Sequence, residues 1–315
     1  MEVRKQVILG YAMGGGAGHL HRMVALFRAF RKEYEPIIFT NCKHAFLYAK
    51  EGIKIHSYPR NSYVNQARLF NWLLSFSHYW IKACMVFVDS FAFGILGELE
   101  RYSELNCTGN WIFLSRIGNF PASENCPPYV LQINLERDSR PIVCQKQYFL
   151  QNPILIRNFD EILSRKKALA RLRLKANKKN ILFAHSGPDS EVAQLHEKLQ
   201  AAVFDNSAKI QIFQSQLTAK NKNGLFPLLT YFSAFAGFYG AVGYNFYSET
   251  RQLQRRAFLS PQKRQFDLQE QRCKNHFPDL NAFIEAIRKK PAPAIKYYEN
   301  GAMEIFQLIE KDFKP

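Results

Sequence analysis

The chain has 315 residues, 47% of them hydrophobic and 22% charged, and a formal net charge of +17. This length suits two domains of ordinary size, and the composition excludes a disordered chain. The positive excess points to a polyanionic partner (anionic lipid head groups, nucleic acid or a phosphorylated small ligand) without choosing among them. In chain order, Val7-Ile8-Leu9 reads as a buried strand that runs into Gly14-Gly15-Gly16-Ala17-Gly18, and His19 follows ahead of a helical pattern over 20–31. Glycines allow close backbone approach to a ligand, and a helix start offers unpaired N–H groups at a positive dipole end. Next come a strand at 36–40, a short helix at 45–51 stopped by Gly52, and a strand at 53–58. Such alternation predicts a parallel sheet with helices on both faces.

Residues 64–82 (VNQARLFNWLLSFSHYWIK) read as one helix, rich in Phe70, Trp72, Phe76, Tyr79 and Trp80, with Arg68, His78 and Lys82 on its polar face. Two readings fit it: packing against the sheet, or a peripheral membrane helix whose Trp and Tyr rings sit at the head-group layer. Met85-Val86-Phe87-Val88 reads as a strand ending in Asp89, at the carboxyl end where open α/β sheets bind ligands. A helix is expected over 93–102, a strand over 111–114 with Arg116 just beyond it, and the last strand of this half over 129–134. The basic run Arg165, Lys166, Lys167, Arg171, Arg173, Lys175, Lys178 and Lys179 reads first as a solvated helix face, with a patch facing lipid or nucleic acid as the alternative. No aromatic residues are interleaved there to stack bases, so no nucleic-acid partner is expected.

A second α/β unit starts near residue 180, with a strand at 181–184, the loop His185-Ser186-Gly187-Pro188-Asp189-Ser190, and a helix at 191–204. Strands at 209–214, 236–242 and 257–260 alternate with a short helix or turn at 226–232 and helices at 246–254, 278–289 and 303–313. The expected layout is a Rossmann-like domain over 1–150, a linker over 151–178, a second Rossmann-like domain over 179–290, and a C-terminal segment over 291–315 whose helix returns to the first domain.

The cysteines Cys42, Cys84, Cys107, Cys126, Cys144 and Cys273 make no CxxC pair and no zinc-spaced cluster with histidine. This predicts reduced thiols, a cytoplasmic protein and no metal. No secretory signal follows Met1 and no apolar run reaches the length of a membrane span, so membrane contact is expected to be peripheral. The second strand ends in Thr40-Asn41, with no acid for a ribose hydroxyl, so a nicotinamide dinucleotide is not expected. Walker and GxSxG sequences are also missing.

Four segments occur in a telling order: 14–22 (GGGAGHLHR), 88–98 (VDSFAFGILGE), 243–249 (GYNFYSE) and 261–269 (PQKRQFDLQ). Together they resemble glycosyltransferases of the GT-B fold, in particular the group containing the lipid-linked N-acetylglucosaminyltransferase of peptidoglycan synthesis and monogalactosyldiacylglycerol synthase. The resemblance implies two Rossmann-like domains facing each other across a cleft. It also implies transfer of a sugar from a nucleotide sugar, a UDP-sugar by family habit, to an acceptor hydroxyl on a lipid or glycan. The nucleotide sugar would be a co-substrate, with no cofactor and no metal. His19 matches the family's loop histidine near the reacting hydroxyl, and an imidazole suits a general base because it titrates near neutrality. Asp89 would orient that imidazole, as carboxylates do in other acid/base pairs. Gly15, Gly16 and Gly18 match the loop near the donor diphosphate and acceptor. Ser186 and Gly187 would present backbone N–H groups to the donor phosphates. Glu249, on the element that begins at Asn245, matches the acid that holds the ribose hydroxyls. Gln265, Asp267 and Gln269 match the segment holding the donor sugar, and Arg264 would add charge for the leaving diphosphate. Two departures stand out: Gly237 lies where the family has an acid, and Pro188 removes an N–H from the phosphate loop. Two rival readings are a nucleotide-sugar hydrolase or epimerase on the same scaffold, and a binding or scaffold relative without turnover.

Overall fold

A computed structural model describes residues 5–59, 65–118, 125–139, 141–185, 187–215, 226–273 and 277–313. The strands are β1 (Gln6–Ala12), β2 (Tyr34–Thr40), β3 (Lys54–Ser57), β4 (Ala83–Asp89), β5 (Asn110–Ser115), β6 (Tyr129–Asn134), β7 (Lys146–Phe149), β8 (Lys179–Ala184), β9 (Ile210–Ser215), β10 (Gly237–Ala241) and β11 (Ala257–Ser260). The helices are α1 (Gly18–Phe30), α2 (Gln66–Leu74), α3 (Ser77–Trp80), α4 (Arg165–Leu172), α5 (Asp189–Val203), α6 (Tyr244–Gln252), α7 (Gln269–Arg272), α8 (Leu280–Lys289) and α9 (Gly301–Asp312). The chain forms two compact units: Met1–Ile156 with Gln265–Asp267 and Asn300–Pro315, and Arg157–Arg264 with Leu268–Glu299.

The first unit holds a seven-stranded parallel sheet in the order β3-β2-β1-β4-β5-β6-β7. Its central strands are continuous apolar runs because both faces are covered. Val7, Leu9, Tyr11, Phe39, Val86, Val88, Trp111 and Phe113 form one core with Phe70 and Trp80. The chain winds outward from β1 in one direction and from β4 in the other, so the order reverses between β1 and β4. Open parallel sheets bind ligands at the carboxyl ends of their strands at such a reversal. Helix α9 packs on α1, with the rings of Phe30 and Phe306 5.1 Å apart, and Tyr34 Oη donates to Glu310 at 2.6 Å.

The second unit holds a four-stranded parallel sheet in the order β11-β10-β8-β9, which reverses between β8 and β10. Ile181, Phe183, Leu195, Leu199, Tyr239, Phe283 and Ile287 form its core. Two parallel α/β sheets are the class that the alternation predicts.

Three expectations are corrected. The single helix over 64–82 is two helices; residue 64 lies outside the described residues. Ser75 Oγ donates back to Trp72 O at 2.6 Å, and the Trp80 indole N–H donates to Leu73 O at 3.1 Å. These bonds satisfy the last carbonyls of α2 and turn Trp80 into the core. Trp72, Phe76 and Tyr79 pack against that core as well, so the aromatic face is used inside the fold. The helix expected over 93–102 is replaced by a 3-10 segment at Glu98–Leu105. Gly94 and Gly97, at φ 92° and 81°, break the helical path before it, and Glu98 folds inward to accept from Leu96 N at 2.9 Å. The strand at 129–134 is not the last of its half. Its edge pairs with β7, whose mostly exposed residues KQYF carry no alternating apolar signal.

Candidate functional site

The reversal point of the first sheet carries a buried polar cluster. β1 delivers the chain into the glycine loop, and α1 starts directly above it with His19 in its first turn. β4 ends in Asp89 beside β1. Asp89 is fully buried, and its Oδ2 lies 3.1 Å from His19 Nδ1 and accepts from Arg22 Nη2 at 2.8 Å. Ser90 Oγ donates to Asp89 Oδ1 at 2.8 Å and accepts from Arg116 Nε at 3.1 Å. Arg116 Nη1 in turn donates to Asp267 Oδ1 at 2.6 Å. Ser90 sits at φ 70°, in the left-handed region, at a cost of about 1 kcal/mol for a non-glycine residue. That conformation is what lets one hydroxyl bridge Asp89 and Arg116.

Burial sets the charge states. Burial pushes the Asp89 carboxyl up, but the charges of Arg22, His19 and Arg116 and the bond from His19 prevail and hold it below the usual carboxylate range. For His19, burial dominates and lowers its pKa; Asp89 pulls it up, while Arg22 and Arg116 push it down. The contact at 3.1 Å is therefore a hydrogen bond from a neutral imidazole to a carboxylate, with the proton placed on Nδ1 because an ionised oxygen faces it. Nε2 is then an acceptor, and among the described residues it has no hydrogen-bond partner. The ring leans on Phe91 at 5.5 Å between centroids, and Phe91 meets Phe266 edge-on at 5.5 Å.

The glycines of the loop differ in what they require. A Cβ on Gly14 would lie 2.5 Å from His19 Nε2, so only glycine leaves the imidazole its place. Gly14 N also donates to Asn41 Oδ1 at 2.9 Å. A Cβ on Gly15 or Gly16 would meet nothing within 4 Å, and neither has a positive φ. Folding alone does not demand glycine at these two positions. Gly14→Ala is thus expected to lower the melting temperature and displace His19. Gly16→Val is expected to leave the melting temperature within about 1 °C, since exposed substitutions stay near ±0.5 kcal/mol, yet to weaken ligand binding. Scanning calorimetry with and without ligand separates the two. Gly18 is the first residue of α1, a helix with no side-chain cap and no acid in its first turn, so its positive dipole end faces the loop uncompensated by a carboxylate of that turn.

The reversal point of the second sheet repeats the pattern. β8 is followed by His185, and His185 Nε2 lies 3.0 Å from Glu191 Oε2. Arg264 grips the same carboxylate from both nitrogens, at 2.8 Å to Oε1 and 2.5 Å to Oε2. These bonds from Arg264, more than that from His185, hold the Glu191 carboxyl below its ordinary value. A Cβ on Gly187 would lie 2.5 Å from Glu191 Oε2, so this glycine, like Gly14, clears room for a histidine cluster. Asp189 and Glu191 stand in the first turn of α5, whereas α6, with Gly243 at its N-cap, has neither a capping side-chain bond nor an acid in its first turn. Asn245 lies in the first turn of α6 and Glu249 further along it, 6% exposed.

The sequence-assigned residues therefore fall into two groups. His19, Asp89 and Asp267 join one network in the first unit, with Gly15, Gly16 and Gly18 on the loop beside it. Gly187, Arg264, Asn245, Glu249 and Gln269 lie in the second unit, where Gln269 Oε1 accepts from Gln262 N at 3.0 Å. Gln265 groups with the first unit and is exposed. Ser186 lies outside the described residues. Arg22, Ser90 and Arg116 complete the first network, and His185 and Glu191 the second; none of them is among the site residues expected from the sequence. Arg22 is legible as the i+3 neighbour of His19 on one helix face. The Ser90 bridge has no sequence signal, since serine rarely adopts positive φ. The described residues hold no group of three or more His, Cys, Asp or Glu able to bind a metal. No helix among them is long and apolar enough to cross a membrane.

No protein family and no curated protein matches the chain. Among solved structures, it is similar to the glycosyltransferase of kitacinnamycin at 11% identity, covering 98% of this chain and 91% of that one, with a TM-score of 0.54. It is similar to S. aureus MnaA, solved with UDP, at 11% identity, covering 98% and 88%, with a TM-score of 0.54. A UDP-glucosyltransferase from Polygonum tinctorium matches at 10% identity, covering 86% and 82%, with a TM-score of 0.53. At these identities the likeness is one of fold.

Proposed function

We propose that this chain, a protein of the GT-B fold, transfers a sugar from a UDP-sugar to an acceptor hydroxyl, with His19 as general base and Asp89 as its positioning partner. One observation carries the reading: a neutral, buried His19 with Nδ1 on a carboxylate and Nε2 unengaged beside a glycine loop left open at Gly15 and Gly16. The acceptor oxygen bonds to the anomeric carbon and its proton passes to Nε2. The bond from that carbon to the diphosphate oxygen breaks, and its electron pair leaves with the nucleoside diphosphate. Asp89 stabilises the imidazolium that forms, and low local dielectric strengthens that contact. In this reading Asn245 and Glu249 hold the ribose. The start of α6, the N–H of Gly187 and Arg264 meet the phosphates, with Arg264 also offsetting Glu191. Gln265, Asp267 and Gln269 contact the donor sugar, and no metal takes part.

The acceptor is an anionic lipid or glycan, supported by the net charge of +17, and the protein works peripherally on the cytoplasmic face of a membrane. Contact through the 64–82 segment would rest on Leu74 and Ile81, its exposed large aliphatic side chains. A thermal-shift panel of nucleotide sugars tests the donor. A ligand at 100 times its Kd stabilises by about 2.7 kcal/mol, a rise of several degrees, and UDP-sugars are expected to give it. Transfer is then followed with and without acceptor. Free sugar released at full rate without acceptor identifies a hydrolase, and no shift with any nucleotide sugar identifies a relative without turnover.

A further inference from the structure

In a parallel sheet every strand starts at the same end. In the second unit the sequence places cations at these starts: Lys178 and Lys179 at β8, Lys209 before β9, and Arg256 before β11. Lys290, just past α8, joins them. Lys179 Nζ and Arg256 Nη1 converge on one carbonyl, Lys290 O, at 3.5 and 3.3 Å. Lys178 Nζ donates to Ser207 O at 3.1 Å, and Lys179 N donates to Lys209 O at 2.8 Å. None of these cations has a carboxylate partner among the described residues. The acids nearest in the chain to Lys209 and Lys290 are Asp205, which is exposed, and Glu285, which Arg288 and Lys289 hold at 2.6 and 2.8 Å.

An apolar feature adjoins this rim. Phe204 is 78% exposed, and Ser207 N donates back to its carbonyl at 3.2 Å. Phe204 lines a groove of about 690 Å³ with Gln200, Val203, Ser207, Ile210 and Ile212. An exposed aromatic beside unpaired lysines suits an interface that is negative at its surface and hydrocarbon beneath. A nucleic acid would call for several stacking rings along the basic track, and among the described residues the exposed ring beside these cations is that of Phe204.

We propose that the strand-start rim of the second unit, Lys178, Lys179, Lys209, Arg256 and Lys290 with Phe204 beside them, docks the protein on a bilayer of anionic phospholipid. The cations lie against the head groups, and Phe204 enters the acyl boundary. This surface is independent of the transfer reading and of the 64–82 segment.

The test is co-sedimentation of the full chain with large unilamellar vesicles of phosphatidylcholine containing 30% phosphatidylglycerol, with no nucleotide sugar present. Pure phosphatidylcholine vesicles and a double-stranded RNA are the comparisons. The expected result is binding to the anionic vesicles that weakens with salt. Each surface lysine contributes about a fivefold factor, so the triple variant Lys178→Gln, Lys209→Gln, Lys290→Gln is expected to lose about 100-fold in partitioning. Phe204→Ser is expected to lose about tenfold, with unchanged melting temperature in both variants. Undiminished binding of the triple variant overturns the proposal, as does equal binding to neutral vesicles. So does loss on Ile81→Ser in place of the rim variants, or lysine-dependent binding to the RNA alone. Because the assay contains no donor, its failure leaves the transferase reading standing, and failure of transfer leaves the docking result standing.

Discussion

His19→Ala is expected to lower sugar transfer about 10²–10⁴-fold while nucleotide-sugar binding, read by thermal shift, is kept. That range is what a positioned general base supplies. The split between rate and binding is expected because the ribose and phosphate contacts are assigned to Asn245, Glu249, Gly187 and Arg264, whereas His19 is assigned to the acceptor proton and is held by Asp89. The pH profile gives a second readout. Burial lowers the His19 pKa, so the base stays neutral to a pH below the ordinary histidine value of about 6.5. The acid limb of kcat/KM is expected below that value, and His19→Ala removes the limb along with the rate. Full turnover by the alanine variant would show that another group takes the proton.

Asp89→Asn is expected to cost the most stability of any single polar substitution in the first unit. It leaves the Arg22 guanidinium, 2% exposed, without the carboxylate it grips at 2.8 Å. Breaking one side of a buried charge pair costs about 3–5 kcal/mol, a drop in melting temperature of roughly 10 °C. The asparagine also turns its NH₂ or its oxygen to His19 and no longer fixes Nδ1 as the protonated nitrogen, so transfer falls with stability. The replacement Arg22→Met, which removes the other charge, is expected to restore part of the stability and none of the orientation. Acid tells the same story with a definite sign. The folded pKa of Asp89 is depressed, so its contribution is complete above the unfolded value of about 3.9 and is lost as pH falls through that range and below. His19 is also depressed when folded, so its contribution is complete above about 6.5 and declines below it. Urea midpoints are therefore expected to fall in two stages as pH drops, and Asp89→Asn should shrink the lower one, leaving the part that Glu191 and the other depressed carboxyls contribute. A wild-type midpoint flat from pH 7 to pH 3 would contradict both assignments.

The limits of the sequence reading have physical causes. Residues 64–82 carry a helical spacing throughout, and spacing does not reveal that Ser75 and the Trp80 indole end α2 at Leu74. Residues 93–102 look helical until the backbone at Gly94 and Gly97 takes positive φ, and burial of the Glu98 carboxylate draws the segment inward. β7 forms because β6 leaves a ladder of open backbone groups, and its side chains carry no pattern of their own. His185 is legible as a loop residue and Glu191 as the start of the helix that follows, yet the meeting of Glu191 with Arg264 depends on a separation of 73 residues along the chain.

By itself the sequence determined two α/β units, the strands β1 and β4 with their burial, the glycine loop with His19 behind it, and an acid at the end of β4. Each of these is local, because apolar runs, glycine and helix starts act over a few residues through burial and sterics. Only the tertiary structure decided that β4 lies next to β1, so that Asp89 reaches His19 at 3.1 Å across 70 residues, with Arg22, Ser90 and Arg116 closing around the same carboxylate. Strand order is set by how the crossovers pack on the sheet as a whole. Charge states follow from that packing, because the burial that makes His19 a neutral acceptor is a property of the assembled sheet and not of any segment of the chain.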